Sequence, residues 1–430
     1  MPYRPHLVSS TTRPTVRPLV QKVFGDFDPL RLDPYLLFDA RTSMVGTLEN
    51  PTLDLDPATP STLDVITATR AGVATYTDAD GNIASAPANT VRVDHVDGVP
   101  MILVEPSATN LLDYSEDFSN AAWTKNNLSV ESGQTSPSGD TSAFRLNEDT
   151  SAGYHNLYTL GPTSDEYHTA TIYAKAGERT KIVVSLGADS NRVIYDLLAG
   201  TFVNSGLGEG KMEAVSNGWY KCSTSTKYPT PTPVYHLVSL VEDSGARIYT
   251  GDGTSGVYIW GAQLEAGSVA TSLIPTSGGN AAARTRAADD LVISGSAFSD
   301  FYNASEGTFY AEVIDRTPTE NSAYLAGPTM NQTFFYSNID LAVDSYDGVN
   351  FQRISGVVAN ELFRAAATYD STSKTISFNG TTLADGTHNG NWADATILNI
   401  GWGGAVNLNY PHLNGHIKRL IYWPYHSDSL

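Results

Sequence analysis

The chain is predicted to be all-β, with two β-sandwiches following an extended N-terminal arm and a small β region. Three observations predict this. Short apolar alternations recur along most of the 430 residues, separated by Gly, Asn, Asp and Ser. The 36 Gly, 22 Pro and 23 Tyr, with only 17% charged residues, suit strands and tight turns better than helices. No long helical periodicity and no four-heptad run interrupts the pattern.

Residues 1–50 read as an arm. Pro2, Pro5, Pro14, Pro18, Pro29 and Pro34 favour extended backbone that cannot close a core. Arg4, Arg13, Arg17 and Lys22 make its first part basic on an acidic chain, so they are the residues expected to dock on another protein. Residues 51–106 read as a small β-hairpin region, with runs at Val65–Thr69, Val73–Thr77, Val91–Asp94 and Met101–Val104, after a first run at Leu36–Phe38. Asp80-Gly81 and Asp97-Gly98 supply its hairpin turns. Asp78–Asn82 has the start of a calcium loop, but Ile83 and Asn89 stand where that loop needs Gly and Glu, so a hairpin tip is expected.

Residues 107–276 carry strands at Thr169–Lys175, Thr180–Leu186, Arg192–Asp196, Trp219–Ser223, Tyr235–Val241 and Gly256–Gly261, which predict a jelly roll. In the first of these, Ile172 and Ala174 alternate with Thr171 and Tyr173, one pair facing inward and the other outward. Residues 277–290 break the pattern and read as a linker. Residues 291–430 form the second sandwich, with Asp347-Gly348, Asn379-Gly380 and Asp385-Gly386 as tight turns.

A net charge of −20 argues against phosphate-directed nucleic-acid binding. Cys222 is the one cysteine and sits in a strand pattern, so it reads as a buried apolar residue. No run approaches the ~18 apolar residues of a membrane helix, and the N-terminal residues lack the apolar core of a signal peptide. Synthesis in a cytoplasm without Sec export, and no membrane insertion, are therefore expected.

Thr69–Gly81, Ala86–Thr90, Leu103–Leu111, Tyr114–Trp123, Gly218–Tyr220, Trp260–Glu265 and Ala283–Asp290 carry a resemblance. Across roughly Leu53 to Asp290 the chain resembles a family of tailed-bacteriophage virion proteins found in tail fibres, tail tips and spikes. Residues 305–425, with Gly307–Val313, Ala367–Asp370, Ser377–Gly380 and Asn414–Pro424, look like the concanavalin A-like or laminin-G-like sandwich that often follows in such proteins. The resemblance implies a virion location, other virion proteins as partners through the arm, a possible host surface glycan as ligand, and a homo-oligomer, a trimer.

No nucleophile elbow, zinc helix or phosphate loop is present, and no metal site or cofactor is expected. Polysaccharide-cleaving enzymes of the concanavalin-like fold cluster three acids on one strand. The nearest match, Glu312 and Asp315, is spaced so that the two carboxylates face opposite sides. His412 and His416 are four apart but flank a turn. Sugar contact instead requires flat rings among Asn, Asp and Gly, which Trp392, Asp394, Trp402, Asn407 and Tyr410 offer. Trp123, Trp219, Trp260 and Trp423 are expected to be buried.

The sequence thus predicts a phage surface protein that is not an enzyme and that touches host or environmental glycans. The alternatives are a purely architectural decoration or spike protein without sugar binding and, less favoured, a polysaccharide depolymerase.

Overall fold

A computed structural model of the chain describes residues 50–187, 191–276, 284–317, 322–327, 333–338, 341–347, 349–388, 391–404 and 412–427. The four basic residues of the arm and the run at 36–38 lie outside the described residues, as do Asn407 and Tyr410. From Pro51 onward the chain is one compact unit, and its ladders are antiparallel throughout.

The first sandwich pairs two six-stranded sheets. One sheet runs Glu209–Ala214, Trp219–Lys227, Tyr167–Ala176, Gly256–Ala266, Ala143–Glu148, Leu128–Gln134. The other runs Thr201–Ser205, Arg192–Asp196, Lys181–Ser185, Thr232–Val241, Asn156–Ser164, Thr124–Asn126. Alternating apolar residues meet between the sheets, among them Ile172, Ala174, Val184, Tyr195, Cys222, Val238 and Ile259, all wholly buried. Phe118 and Trp123 belong to the same core, their rings 5.1 Å apart, and the Trp123 indole N–H donates to the Tyr114 carbonyl at 2.8 Å.

The second sandwich faces an eight-stranded sheet onto a seven-stranded one. The strands Gly307–Asp315 and Gly415–Trp423 lie at the centre of the larger sheet, and Phe309, Val313, Tyr369, Leu398, Leu420 and Tyr422 fill the space between the layers. Asn379 and Gly380, with φ of 46° and 81°, turn one of its hairpins, the conformation that the Asn-Gly pair predicts. Asp385-Gly386 forms no turn: it lies within the strand Thr381–Thr387, beside a register shift.

Residues 51–106 do not stand as a separate region. Leu53–Leu55 and Val99–Val104 pair with Gly415–Trp423, and Thr67–Thr69 pairs with Asp290–Ser294, so both sheets of the second sandwich are completed from the N-terminal side. Leu55, Ile102 and Val104 are buried in that core. Unpaired sheet edges are costly, and these strands satisfy them. Their alternation is legible in the sequence, but their partners, more than 200 residues away, are not. Only the hairpin Ala74–Thr77 with Ile83–Ala86 forms its own two-stranded sheet, with Asp78–Asn82 at its tip. The segment read as a linker is likewise structured where it is described: Arg284–Arg286 pairs with Ala108–Asn110.

Candidate functional site

Several segments far apart in the sequence converge on one buried junction. Positive φ at Gly261 (59°) bends the strand Gly256–Ala266 where its register against Tyr167–Ala176 shifts. Beyond that bend Gln263 accepts the Ile274 N–H at 2.6 Å, and Glu265 accepts the Thr271 N–H at 3.0 Å and its hydroxyl at 2.6 Å. The return loop is thereby clamped. Asn110 uses its whole amide, donating to the Ala262 and Ile274 carbonyls and accepting from the Leu112 and Leu264 N–H groups.

Beside this clamp lies an ion cluster. Arg70 donates to Asp289 at 2.8 Å and to the Pro87 carbonyl at 2.6 Å. Arg92 donates to Glu105 at 2.8 Å and also to Asp289. Glu105 further accepts the Ser272 N–H and hydroxyl, each at 2.7 Å, and Arg286 stands 3.4 Å away. These side chains are almost wholly excluded from solvent. Desolvation would raise the Glu105 carboxyl, but Arg286, Arg92 and Arg316 hold it well below its ordinary 4.5. Ions so deeply buried are tolerated only because nearly every carboxylate oxygen is matched.

A cavity of about 290 Å³ opens against this cluster, where the first sandwich, the residue 74–96 region and the second sandwich meet. Cross-strand register places Glu213, Lys221 and Tyr173 in one row on the outer face of the first sandwich. Thr171 and Tyr173 therefore do not face solvent, as strict alternation would suggest. Both are buried: Thr171 meets the Ser223 hydroxyl at 3.0 Å, and Tyr173 packs edge-on against Trp260. From the second sandwich come His416, on its central strand, and Arg316, just past the strand Gly307–Asp315. His416 Nε2 lies 2.8 Å from Asp94 Oδ2. Burial and the Arg316 charge lower the His416 pKa, against the pull of the Asp94 carboxylate.

Three acids at this cavity, Asp94, Glu105 and Glu213, are already engaged. Asp94 also accepts the Thr77 N–H at 2.5 Å, and Lys211 sits 3.0 Å from Glu213. Against desolvation, Lys211, Lys221 and Arg316 hold Glu213 below the ordinary carboxylate range. Arg316 is different: its nearest acids are Glu105 at 3.6 Å and Glu213 at 4.0 Å, and among the described residues its guanidinium makes no hydrogen bond. Sequence reading missed this site. Arg70, Glu105, Glu265, Arg286 and Asp289 all lie in segments that the sequence analysis singles out, but only the fold brings them together.

The residues expected to contact sugar have separate fates. Trp392 is wholly buried; its indole N–H donates to the Tyr346 carbonyl at 3.3 Å, and the Lys374 ammonium lies 5.6 Å from its ring centroid. A ring with no exposed surface cannot stack on a pyranose, so Trp392 is a core residue. Asp394 is exposed at the end of a short turn. Trp402 is half-buried, with one face stacked on His412 at 5.5 Å and its N–H donating to the Leu291 carbonyl at 3.0 Å. His412 in turn meets Asp290 at 2.7 Å. Trp123, Trp219, Trp260, Trp423 and Cys222 are buried, as their patterns suggest. Glu312 and Asp315 do face opposite sides: Glu312 pairs with Lys418 at 2.7 Å, and Asp315 accepts the Tyr324 hydroxyl at 2.7 Å. Among the described residues no group of three or more His, Cys, Asp or Glu is arranged to hold a metal ion, and no helix is long and apolar enough to cross a membrane.

No protein-family model matches the chain, and no curated protein matches it in sequence. Solved structures with a weak likeness to the chain include a Trypanosoma rangeli sialidase in complex with 2,3-difluoro-KDN, at 7% identity and a TM-score of 0.27, the match covering 67% of this chain and 59% of the sialidase. The chain thus spans under two thirds of that protein's length. Mouse laminin α1 domains LG4-5 match at 12% identity and 0.24, over 78% of this chain and 92% of that one. The tandem CBM22 domains of Paenibacillus barcinonensis Xyn10C match at 10% and 0.25, over 74% and 99%. These likenesses concern β-sandwich fold alone. The sequence-based expectation that the chain is not an enzyme is corrected by them only to this extent: sialidases stand among the structures it resembles. Equally, likeness at this level is no evidence of catalysis.

Proposed function

We propose that the chain is a structural protein of a tailed-bacteriophage particle, of tail-fibre, tail-tip or spike type, whose lectin-like sandwiches bring the particle against host or environmental glycans. The observation that carries this reading is the junction. The segments that resemble virion proteins supply Arg70, Glu105, Glu265, Arg286 and Asp289, the residues that join one sandwich to the other. A rigid pair of sandwiches suits display on a particle. Individually weak contacts, each around millimolar, gain strength when many copies are arrayed.

In this reading the basic arm residues Arg4, Arg13, Arg17 and Lys22 dock on other virion proteins, the chain assembles as a homotrimer, and it resides in the virion after assembly in the host cytoplasm. Antibody labelling of purified particles tests the location: gold at tail or capsid supports it, and absence of the chain from particles overturns it. Binding of the full chain to a glycan array tests adhesion. Burial of Trp392 favours a second reading, an architectural decoration or spike protein without sugar binding, and a blank array would select it.

A further inference from the structure

The cavity at the junction has hydrogen-bonding capacity left over, and the kind left over specifies a ligand. Arg316 is about nine-tenths buried, lines the cavity, and makes no side-chain hydrogen bond among the described residues. A guanidinium in that state presents a planar fork that matches one carboxylate. The Tyr173 hydroxyl, on a side chain 2% exposed, lines the same cavity and likewise has no hydrogen-bond partner among the described residues. Both groups open onto the cavity, so an occupant that pairs with both is favoured over one that pairs with neither.

The neighbouring acids do not offset this. Glu105 is taken up by Arg92 and Ser272, Asp94 by His416 and the Thr77 N–H, and Glu213 by Lys211. Lys211 and Lys221, at 3.0 and 3.8 Å from Glu213, balance that carboxylate on the same wall. The volume, about 290 Å³, is at the lower end of the ~300–1,000 Å³ usual for ligand pockets and suits a single sugar-sized molecule.

We propose that this cavity binds a small hydroxycarboxylate, a uronic-acid unit being the size-matched example, with its carboxylate on Arg316 and a hydroxyl hydrogen-bonded to the Tyr173 hydroxyl. This goes beyond the virion reading and does not depend on it: particle labelling tests the one, and ligand titration tests the other.

The test is calorimetric titration of the full chain with sodium glucuronate, with glucose as the neutral control and methyl glucuronide as a mimic of a glycan chain end. Saturable binding of glucuronate and not of glucose is expected. Arg316→Gln should weaken it roughly tenfold or more, and Tyr173→Phe several-fold, with an unchanged melting temperature for the latter. Should Arg316→Gln fail to fold, Tyr173→Phe decides, because it removes one unpaired hydroxyl and nothing else. Methyl glucuronide binding as tightly as glucuronate assigns the site to an acidic glycan end; binding of the free acid alone assigns it to a free metabolite. No saturable response up to tens of millimolar glucuronate, an equal response to glucose, or undiminished binding by the folded Tyr173→Phe protein would overturn the proposal.

Discussion

Arg70 and Asp289, 219 residues apart in sequence, meet at 2.8 Å with both side chains almost wholly buried. Asp289 also binds Arg92 and accepts the Glu105 N–H at 3.0 Å, so one carboxylate gathers the segment before the first sandwich, the segment leading into it, and the segment leaving it. Such a pair need not add net stability, since desolvation offsets its Coulombic attraction, but removing one partner leaves the other's charge buried and unmatched.

Acid should loosen the junction. Despite desolvation, Glu105 and Asp94 have folded pKa values below their ordinary 4.5 and 3.8, so the stability they contribute is fully present above those values and is lost as pH falls through the folded ones. Glu265 acts in the opposite sense: burial raises it, so its contribution shrinks as pH rises from 4.5. Urea midpoints measured from pH 7 downward should fall below about pH 4, and Glu105→Gln should flatten that fall.

Two tryptophans once paired as sugar contacts should separate under mutation. Trp392→Ala removes a wholly buried ring and should destabilise by about 3–5 kcal/mol. Trp402→Ala, which loses a half-buried ring stacked on His412, should cost about 1–2 kcal/mol. Denaturant titration of both variants measures the difference.

Cys222 reports on opening of the first sandwich. Its thiol is wholly buried, and desolvation pushes its pKa upward, so a thiol reagent at pH 8 should label the native chain only through unfolding. Labelling within seconds in native buffer, followed by absorbance, would show that this core is open.

Gly261 should resist replacement. A Cβ there meets Leu273 and Tyr173 at 3.1 Å on a backbone with φ of 59°. Gly261→Ala should cost about 1–2 kcal/mol or more in urea unfolding.

Fold class was legible from residues 107 onward because strand alternation and Asn-Gly or Asp-Gly turns are local properties. The partners of Leu53–Leu55, Thr67–Thr69 and Val99–Val104 were not, since a strand's sequence names its buried face and not its neighbour. The same limit hid the cavity. Arg316 carries no local pattern that marks it, and His416 has His412 as its neighbour in sequence, while its partner Asp94 comes from the other end of the chain. Trp392 misled because Asn391 and Asp394 around it read as a loop, yet the indole turns inward onto Lys374.

The measurement that bears most directly on the junction is equilibrium unfolding of Asp289→Asn beside the parent chain, followed by circular dichroism and by tryptophan fluorescence. Both sandwiches contain tryptophan, so each is visible. If buried ions at Asp289 lock the two together, the parent unfolds in one transition with coincident probes, and the variant loses about 3–5 kcal/mol. A variant within about 0.5 kcal/mol of the parent, or two separate transitions in the parent, would contradict the account.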